Sequence, residues 1–513
     1  MSLLVGVAPL AHAEDDSWSR AQSAGKLLWG ADQEGGGPFI YPRDDDVSRM
    51  TGFEVELAEA ISKYLGVTLT YEQGQWDKLP DMLKADKVDL VMNGYEWFPS
   101  RVEVMEASIP YYVYAQQLLV KKGSAITSWD AFKSPKADGS KWKVGVLTGS
   151  AAEEHMKAIG GETDIIGYDG GTDALREVEN GKLDATLQDT PIVSFYLERF
   201  PQLERLGPPV APGYYVIYVR QGDKALIEKV NEAIIVLFRS GTLENIYSRY
   251  RMWNDDQKRL GEIIEMGQFF GYQKAVAADV EKAAATVDTV ELGQRKRGWD
   301  VVSTYGMTLV KSAGMTVLLA FISFPIAIVI GLLVAVGRIY GSRWISVPLT
   351  VYVEFLRGTP LMLQLYFIFF LLPEVGVNIA AFPTAILGLA INYSAYESEI
   401  YRAGLQAIPL GQMEAALSLG MSRSQAIRKI IVPQAVRIVI PPVVNDFIGL
   451  FKDTSVCSVI TIVELTKQFS ILSLNTQATV EMMVMTGILY LAMSYPLSLL
   501  SRSLERRLAG VSA

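Results

Sequence analysis

With one cysteine in 513 residues, Cys457, the chain has no thiol pair and no internal disulfide framework. Histidine is almost as scarce. His12 and His155 are the only two, too few with that single thiol to build a His/Cys metal site. No run of the form G-x-x-x-x-G-K-[ST] occurs, so the chain lacks a phosphate-cradling loop, and any ATP-driven step needs a partner. Positive charge is not in excess either: the formal charge of −9 excludes the basic footprint of a nucleic-acid binder. Charge is also missing regionally, being dense up to about Asp300 and sparse afterwards.

What is present divides along that line, a soluble portion first and a membrane portion second. Ser2 to Leu10 is short and apolar and is followed by Ala11-His12-Ala13, an A-x-A pattern that predicts a signal peptide over 1–13. It lacks a positive n-region, and a disordered tail is the alternative. From Lys26 to about Arg251, short apolar runs alternate with helix-period segments. Leu27 to Trp29, Val67 to Tyr71, Val88 to Met92, Lys143 to Leu147 and Asp184 to Gln188 read as strands, and Phe53 to Leu65 as a helix with Leu57, Ala58, Ile61 and Leu65 on one face. That alternation predicts an α/β architecture with mostly parallel sheets. Asn254 to Asp300 loses the rhythm and reads as a tether, which would make capture and delivery intramolecular.

Gly314–Val336 is an uncharged run of about membrane-spanning length, and Ile345–Leu372, Phe382–Tyr396, a broken segment Val436–Val463, and Met482–Leu500 are further candidates. With an exported amino-terminal domain, Arg338, Arg343, Arg402, Arg502, Arg506 and Arg507 fall inside, while the loops left outside, around Pro373–Ala381 and Leu465–Gln477, hold only Lys467 as a basic residue, as the positive-inside rule requires. Glu354, Arg357, Glu397, Glu399, Asn445, Asp446, Lys452 and Asp453 are polar groups within these segments. Each is a candidate for a permeation path or for pairing between helices. Pro441-Pro442 predicts a helix break.

One polar, basic interruption stands between these apolar segments. Pro409 suits a first helical turn, Glu414-Ala415-Ala416 sits on the helix it starts, and Gly420 tolerates a left-handed stop. Ser422 with Gln425 has capping-box spacing, so a second helix is expected to begin there and end before Pro433. The outcome is a compact knob; a basic helix lying on anionic lipid is the competing reading. Glu414-Ala-Ala, Gly420, Ile430 and Val432-Pro433 resemble the EAA loop of bacterial ABC-importer permeases, here 409–433, with Val432 in place of the usual leucine. The resemblance implies docking on a separate ATPase subunit that brings ATP and Mg, a five-helix permease, and a second permease copy, with a homodimer expected.

The order of segments in the soluble part resembles the type II periplasmic binding proteins for polar amino acids. That resemblance implies two lobes joined by extended crossings near Tyr112–Val120 and Tyr214–Arg220, closing on a ligand by hinge bending. An α-amino acid needs an anion site and a cation site. Arg101 matches the family arginine that forks onto the α-carboxylate. Asp189 matches the aspartate that holds the ammonium, and Ser150 the hydroxyl at a helix N-terminus. Gly94 would supply backbone and Trp76 a stacking ring. Each also has a structural alternative: Ser150 and Asp189 as helix caps, Arg101 as a surface residue, Trp76 as core. Two departures stand out. Glu96 occupies a position where the family has Ser or Thr, and is expected to point elsewhere; Gly35-Gly36-Gly37 replaces a stacking aromatic. Asp32, Glu34 and Glu96 suggest a basic side chain on the ligand.

These readings predict a two-lobed α/β substrate-binding domain (14–253), a linker (254–302) and an all-α permease domain (303–513). The chain would be a binding-protein–permease fusion of an ABC importer in the bacterial inner membrane. It would be no enzyme itself, with the trap and its amino-acid ligand outside and the carboxy terminus and knob in the cytoplasm. The candidate site residues are Arg101, Asp189, Ser150, Gly94, Trp76, Glu96 and Asp32 for the ligand; Glu414, Ala415, Ala416 and Gly420 for ATPase coupling; and Arg357, Glu397, Lys452 and Asp453 for the path. A ligand-gated channel or receptor on the same trap fold is the alternative, although it would place its pore between the lobe segments. A dehydratase-like enzyme would need an acid/base pair that is not recognisable here.

Overall fold

The computed structural model describes residues 17–43, 46, 49–265, 298–476 and 478–509. The expected signal segment and most of the expected tether (266–297) lie outside them. The chain forms two compact units dividing between Arg295 and Lys296.

In the first unit one sheet runs in the order Thr68–Gln73, Lys26–Ala31, Leu90–Val91, Tyr218–Arg220, Met105–Ala107. Its first three strands are parallel and its last two join antiparallel. Helix Phe53–Leu65 covers one face because its spacing puts Leu57, Ala58 and Ile61 on one buried stripe. Leu57 and Ile61 each stabilise by roughly 1.5–3 kcal/mol when fully buried, Ala58 by less. Gly66 ends that helix at φ +70, a conformation that costs glycine nothing.

The second sheet orders Leu203–Tyr215, Tyr112–Lys121, Ala185–Asp189, Trp142–Leu147, Thr163–Tyr168. The chain thus lays down four strands of lobe one, crosses at Tyr112, completes lobe two, and returns with Tyr218–Arg220. The return crossing falls at Val216-Ile217, within the expected Tyr214–Arg220. Leu203–Tyr215 is a long strand of lobe two, paired antiparallel with Tyr112–Lys121 from Leu203↔Lys121 to Tyr215↔Tyr112. The first part of the expected linker is helical. Asp255–Glu265 is a helix, and its buried Gln257 clasps the Val113 backbone, accepting from the N–H (3.0 Å) and donating to the C=O (2.6 Å).

The second unit is helical. The expected span Gly314–Val336 lies inside a 42-residue helix, Trp299–Tyr340. Among the described residues, two helices are long and apolar enough to cross a membrane, Trp299–Tyr340 and Thr479–Leu504. Arg343–Gly358 with Leu361–Val375, bent by 109°, makes a third if the pair is one span. Ala381–Gln406 has the length but carries Glu397, Glu399 and Arg402. Val432–Asp453 carries Arg437, Asp446, Lys452 and Asp453.

Three local expectations need correction. The helix begun at Ser422 does not end before Pro433: it widens into a π-turn at Ile427–Ile431 and continues as Val432–Asp453. A π-turn absorbs a proline whose ring would otherwise clash with the carbonyl four residues back. Pro441 and Pro442 lie inside that same helix without breaking it. Each removes one donor, a loss the packed neighbouring helices outweigh. Leu465–Thr476, expected as an outside loop, is a helix with Leu465, Ile471, Leu472 and Leu474 buried.

Candidate functional site

Between the lobes lies a cavity of about 40 Å³ walled by Phe39, Trp76, Glu96, Ser150 and Asp189 among others. Asp189 closes a strand whose five residues are all buried. It stands at the N-cap of helix Thr190–Tyr196, yet its side chain makes no cap bond. Instead one oxygen accepts from Gln116 Nε2 (2.6 Å) and the other from the Tyr215 hydroxyl. Tyr215 is fixed by stacking on Tyr114, with ring centroids 4.6 Å apart. Burial first, then the neighbouring Glu96 charge, push the Asp189 carboxyl up to about 7, against the pull of those two hydrogen bonds.

Arg101 sits on the short helix Pro99–Val102, its guanidinium 4.3 Å from the Tyr95 ring centroid and 4.7 Å from that of Phe98. Nη1 donates to both the backbone oxygen (2.8 Å) and the carboxylate (2.9 Å) of Glu96, and Nη2 donates to Gly149 O (3.0 Å). Glu96 was expected to turn from an α-carboxylate toward a cationic side chain, and its cationic partner is Arg101. Glu96 lies in the cavity wall, and its other oxygen accepts from Ala151 N–H across the lobes at 3.0 Å. Ser150 caps helix Ala151–Ile159, accepting from Glu153 N–H, while its hydroxyl donates to Leu147 O (2.7 Å).

Gly94, at φ +58, lines the cavity and donates its N–H to Glu54 (2.6 Å). A Cβ there would come within 2.5 Å of the Phe39 ring. Trp76 also lines the cavity, its indole N–H tied to Asn93 O at 3.0 Å. Asp32 does not line it. Its carboxylate binds Glu34 N–H, Gln73 Nε2 and Trp76 N–H at 2.8–2.9 Å and organises the loop instead.

Sequence reasoning passed over Gln116, Tyr215 and Phe39. Two consecutive glutamines inside the buried strand Tyr112–Lys121 were the available signal for the first. Phe39 supplies, four residues after Gly35, the aromatic wall that the glycine run seemed to lack.

In the helical unit a cavity of about 560 Å³ is lined by Arg357, Asn392, Tyr393, Asp446 and Asp453 among others. Asp453 accepts from the Tyr393 hydroxyl (2.7 Å), and Arg357 rests 5.9 Å from the Tyr396 ring centroid. Lys452 and Glu397 are not among its lining. Lys452 is exposed, and Glu397 is buried against Gly331, where an added Cβ would meet its own Cβ at 2.7 Å.

The knob forms as two helical pieces. Leu410–Ser418 ends at Gly420 (φ +81), and Ser422 and Gln425 make both bonds of a capping box. Glu414 and Ala415 are exposed, Ala416 is buried, and Leu410 and Leu419 are more than four-fifths exposed.

Two family models match, one in each unit. Residues 30–252 match the bacterial extracellular solute-binding proteins, family 3, and residues 327–510 the binding-protein-dependent transport system inner membrane component. A probable amino-acid ABC transporter permease of Sinorhizobium fredii is 41% identical over 36% of this chain and 80% of its own length. The chain belongs to the amino-acid ABC permease family. This fusion also resembles the L-cystine transport system permease of Bacillus subtilis (36% identity, 41% of this chain, 91% of that one) and the glutamine permease of Escherichia coli (35%, 41% and 97%). Among solved structures, an ancestral arginine-binding protein bound to arginine aligns at 28% identity and a TM-score of 0.40, over 44% of the fusion and 98% of that chain. These relatives are transport permeases and binding proteins, not enzymes.

Proposed function

We propose that the fusion is the binding and permeation subunit of an ATP-driven importer for polar, positively charged solutes of amino-acid type. The carrying observation is the interlobe cavity, where Asp189 is buried with two neutral donors and, among the described residues, no cation. A buried carboxylate so arranged is completed by an ammonium. Trp76 and Phe39 wall the ligand, and relatives named for glutamine and cystine support the amino-acid class.

In this reading the trap faces the outside of a bacterial inner membrane, and the knob and carboxy terminus face the cytoplasm. A separate ATPase, carrying ATP and Mg, docks on Glu414, Ala415, Ala416 and Gly420, with exposed Leu410 and Leu419 as its apolar contacts. A second permease copy completes the path, which runs by Arg357 and Asp453. The docking is tested by ATP hydrolysis in proteoliposomes holding the fusion and its ATPase, stimulated by a panel of cationic amino acids and amines. Leu419→Asp should abolish stimulation while leaving ligand capture intact. Full stimulation in that variant would sink the docking assignment.

A further inference from the structure

Lobe two presents a short turn, Gly149 to Ala151, whose geometry is fixed from within that lobe. Gly149 stands at φ +74, and its N–H donates to Glu153 (2.6 Å). Ser150 caps helix Ala151–Ile159, and its hydroxyl donates to Leu147 O (2.7 Å). The turn is left with an acceptor, Gly149 O, and a donor two residues on, the Ala151 N–H at the helix start.

Lobe one meets that pair with two opposite charges. Arg101 Nη2 donates to Gly149 O and Glu96 accepts from Ala151 N–H, both at 3.0 Å. The other Glu96 oxygen accepts from Arg101 Nη1 at 2.9 Å, so the four groups close a ring across the cleft. The Glu96 side chain is 2% exposed and that of Arg101 15%. Hydrogen bonds to charged groups in such settings are roughly twice as strong as neutral ones, and the helix N-terminus favours the carboxylate further. Elsewhere beside the cavity the lobes touch through neutral groups. Gly37 N–H donates to the Tyr196 hydroxyl (2.9 Å), and the Tyr41 and Phe195 rings meet edge to face. A serine or threonine at 96 would carry a single oxygen on a shorter stem and could not serve both partners. Arg101 keeps its Nε–H and one Nη2–H among the described residues, so the ring leaves donors for a ligand carboxylate.

We propose that Glu96 is an interlobe latch: paired with Arg101 in lobe one, it grips the Gly149–Ala151 turn of lobe two and holds the trap shut on its amino acid. Bonds made only when the lobes meet slow reopening and leave the first encounter with solute untouched. Glu96 therefore sets how fast the captured solute leaves, and not how fast it enters. Its ion pair is neutral as a whole, so the latch adds no net charge to the cavity wall. The inference rests on the interlobe cavity being the ligand site.

The test is stopped-flow tryptophan fluorescence of the full chain in lipid nanodiscs, with Trp76 in the cavity wall as a reporter. The probe is whichever of arginine, glutamine and cystine the unaltered chain binds most tightly. Glu96→Ser should raise the dissociation rate at least about tenfold and leave the association rate within about twofold. Ala151→Pro approaches the same bond from lobe two. It removes the N–H at a first helical position, where proline is tolerated, and Ser150 before it is already extended (φ −88, ψ 168). Faster release should follow there too, which keeps the test valid if the serine variant does not fold. Unchanged dissociation in a folded variant of either kind would overturn the proposal and leave the contact a matter of stability alone. Slower release from Glu96→Ser would overturn it as well, by making Glu96 a competitor for the ligand's own seat. Binding that survives Asp189→Asn undiminished, or no binding of any of the three probes, would instead remove the cavity reading beneath it.

Discussion

Between the lobes, charged side chains crowd a space of about 40 Å³, and Arg101 and Glu96 spend their hydrogen bonds on each other and on the facing lobe. In the helical unit the cavity is about 560 Å³, and Arg357 rests on an aromatic face with no ion pair among the described residues. A receptor discriminates by saturating its own groups and leaving a defined remainder for the ligand. A path must let go of what it holds, so loosely held charges in a roomy cavity suit it better. Two sites built from the same residue types therefore differ in how much of their capacity the protein itself consumes.

The comparison breaks first at Asp189. Asp189→Asn should lower trap affinity by about a hundredfold or more, since it removes a buried charge partner; titration of the full chain measures it. Arg357→Gln should leave that affinity unchanged and cut uptake in proteoliposomes by roughly tenfold, as expected for a group used only in passage. Equal losses in both assays would erase the distinction. In the helical unit, Gly331→Ala places a Cβ 2.7 Å from Glu397 Cβ and 2.9 Å from Ser394 O. Overpacking of this kind costs about 1–3 kcal/mol and should lower the thermal midpoint in detergent.

Two smaller effects depend on pH. Because Asp189, facing Glu96, Tyr215 and Gln116, is pushed up to about 7, cation binding below that pH must expel its proton. Affinity should therefore rise by up to about tenfold per pH unit toward 7 and then level off. Glu54, fully buried beneath Gly94 and bonded to Tyr111, is pushed by burial from 4.5 to about 7, against hydrogen bonds from Tyr111, Gly94 and Asn93. Its unfolded form ionises near 4.5 and its folded form only near 7, so its contribution is full below 4.5 and declines as pH rises between them. The slope should approach about 1.4 kcal/mol per pH unit at most. Thermal unfolding across that range should show it, and Glu54→Gln should flatten it.

Local signals carried much of the fold. The apolar stripe of Phe53–Leu65 and the Ser422–Gln425 capping box need only neighbours three or four residues away, and both are present as written in the chain. Asp189, Trp76, Gly94 and Ser150 come together at one cavity, and their order along the chain was enough to nominate them. What escaped depends on distant partners. Glu96 seemed misplaced beside an anion site until Ala151, 55 residues on, offered its N–H. Asp32 resembled a mouth residue, but Gln73 and Trp76 take its oxygens. The prolines misled for a related reason. Their cost is local, whereas the packing that outweighs it comes from other helices.

The grip of Gln257 on Val113 settles where the leash is fastened. Val113 lies at the start of one crossing strand, beside the Tyr215 end of its partner, and Tyr112 reinforces the spot by donating to Met252 O (3.1 Å). When lobes turn about such a pair of strands, a point on the axle moves far less than one on the rim. The chain that leads toward the permease is thus rooted near the axle, so opening and closing the trap displaces its anchorage little.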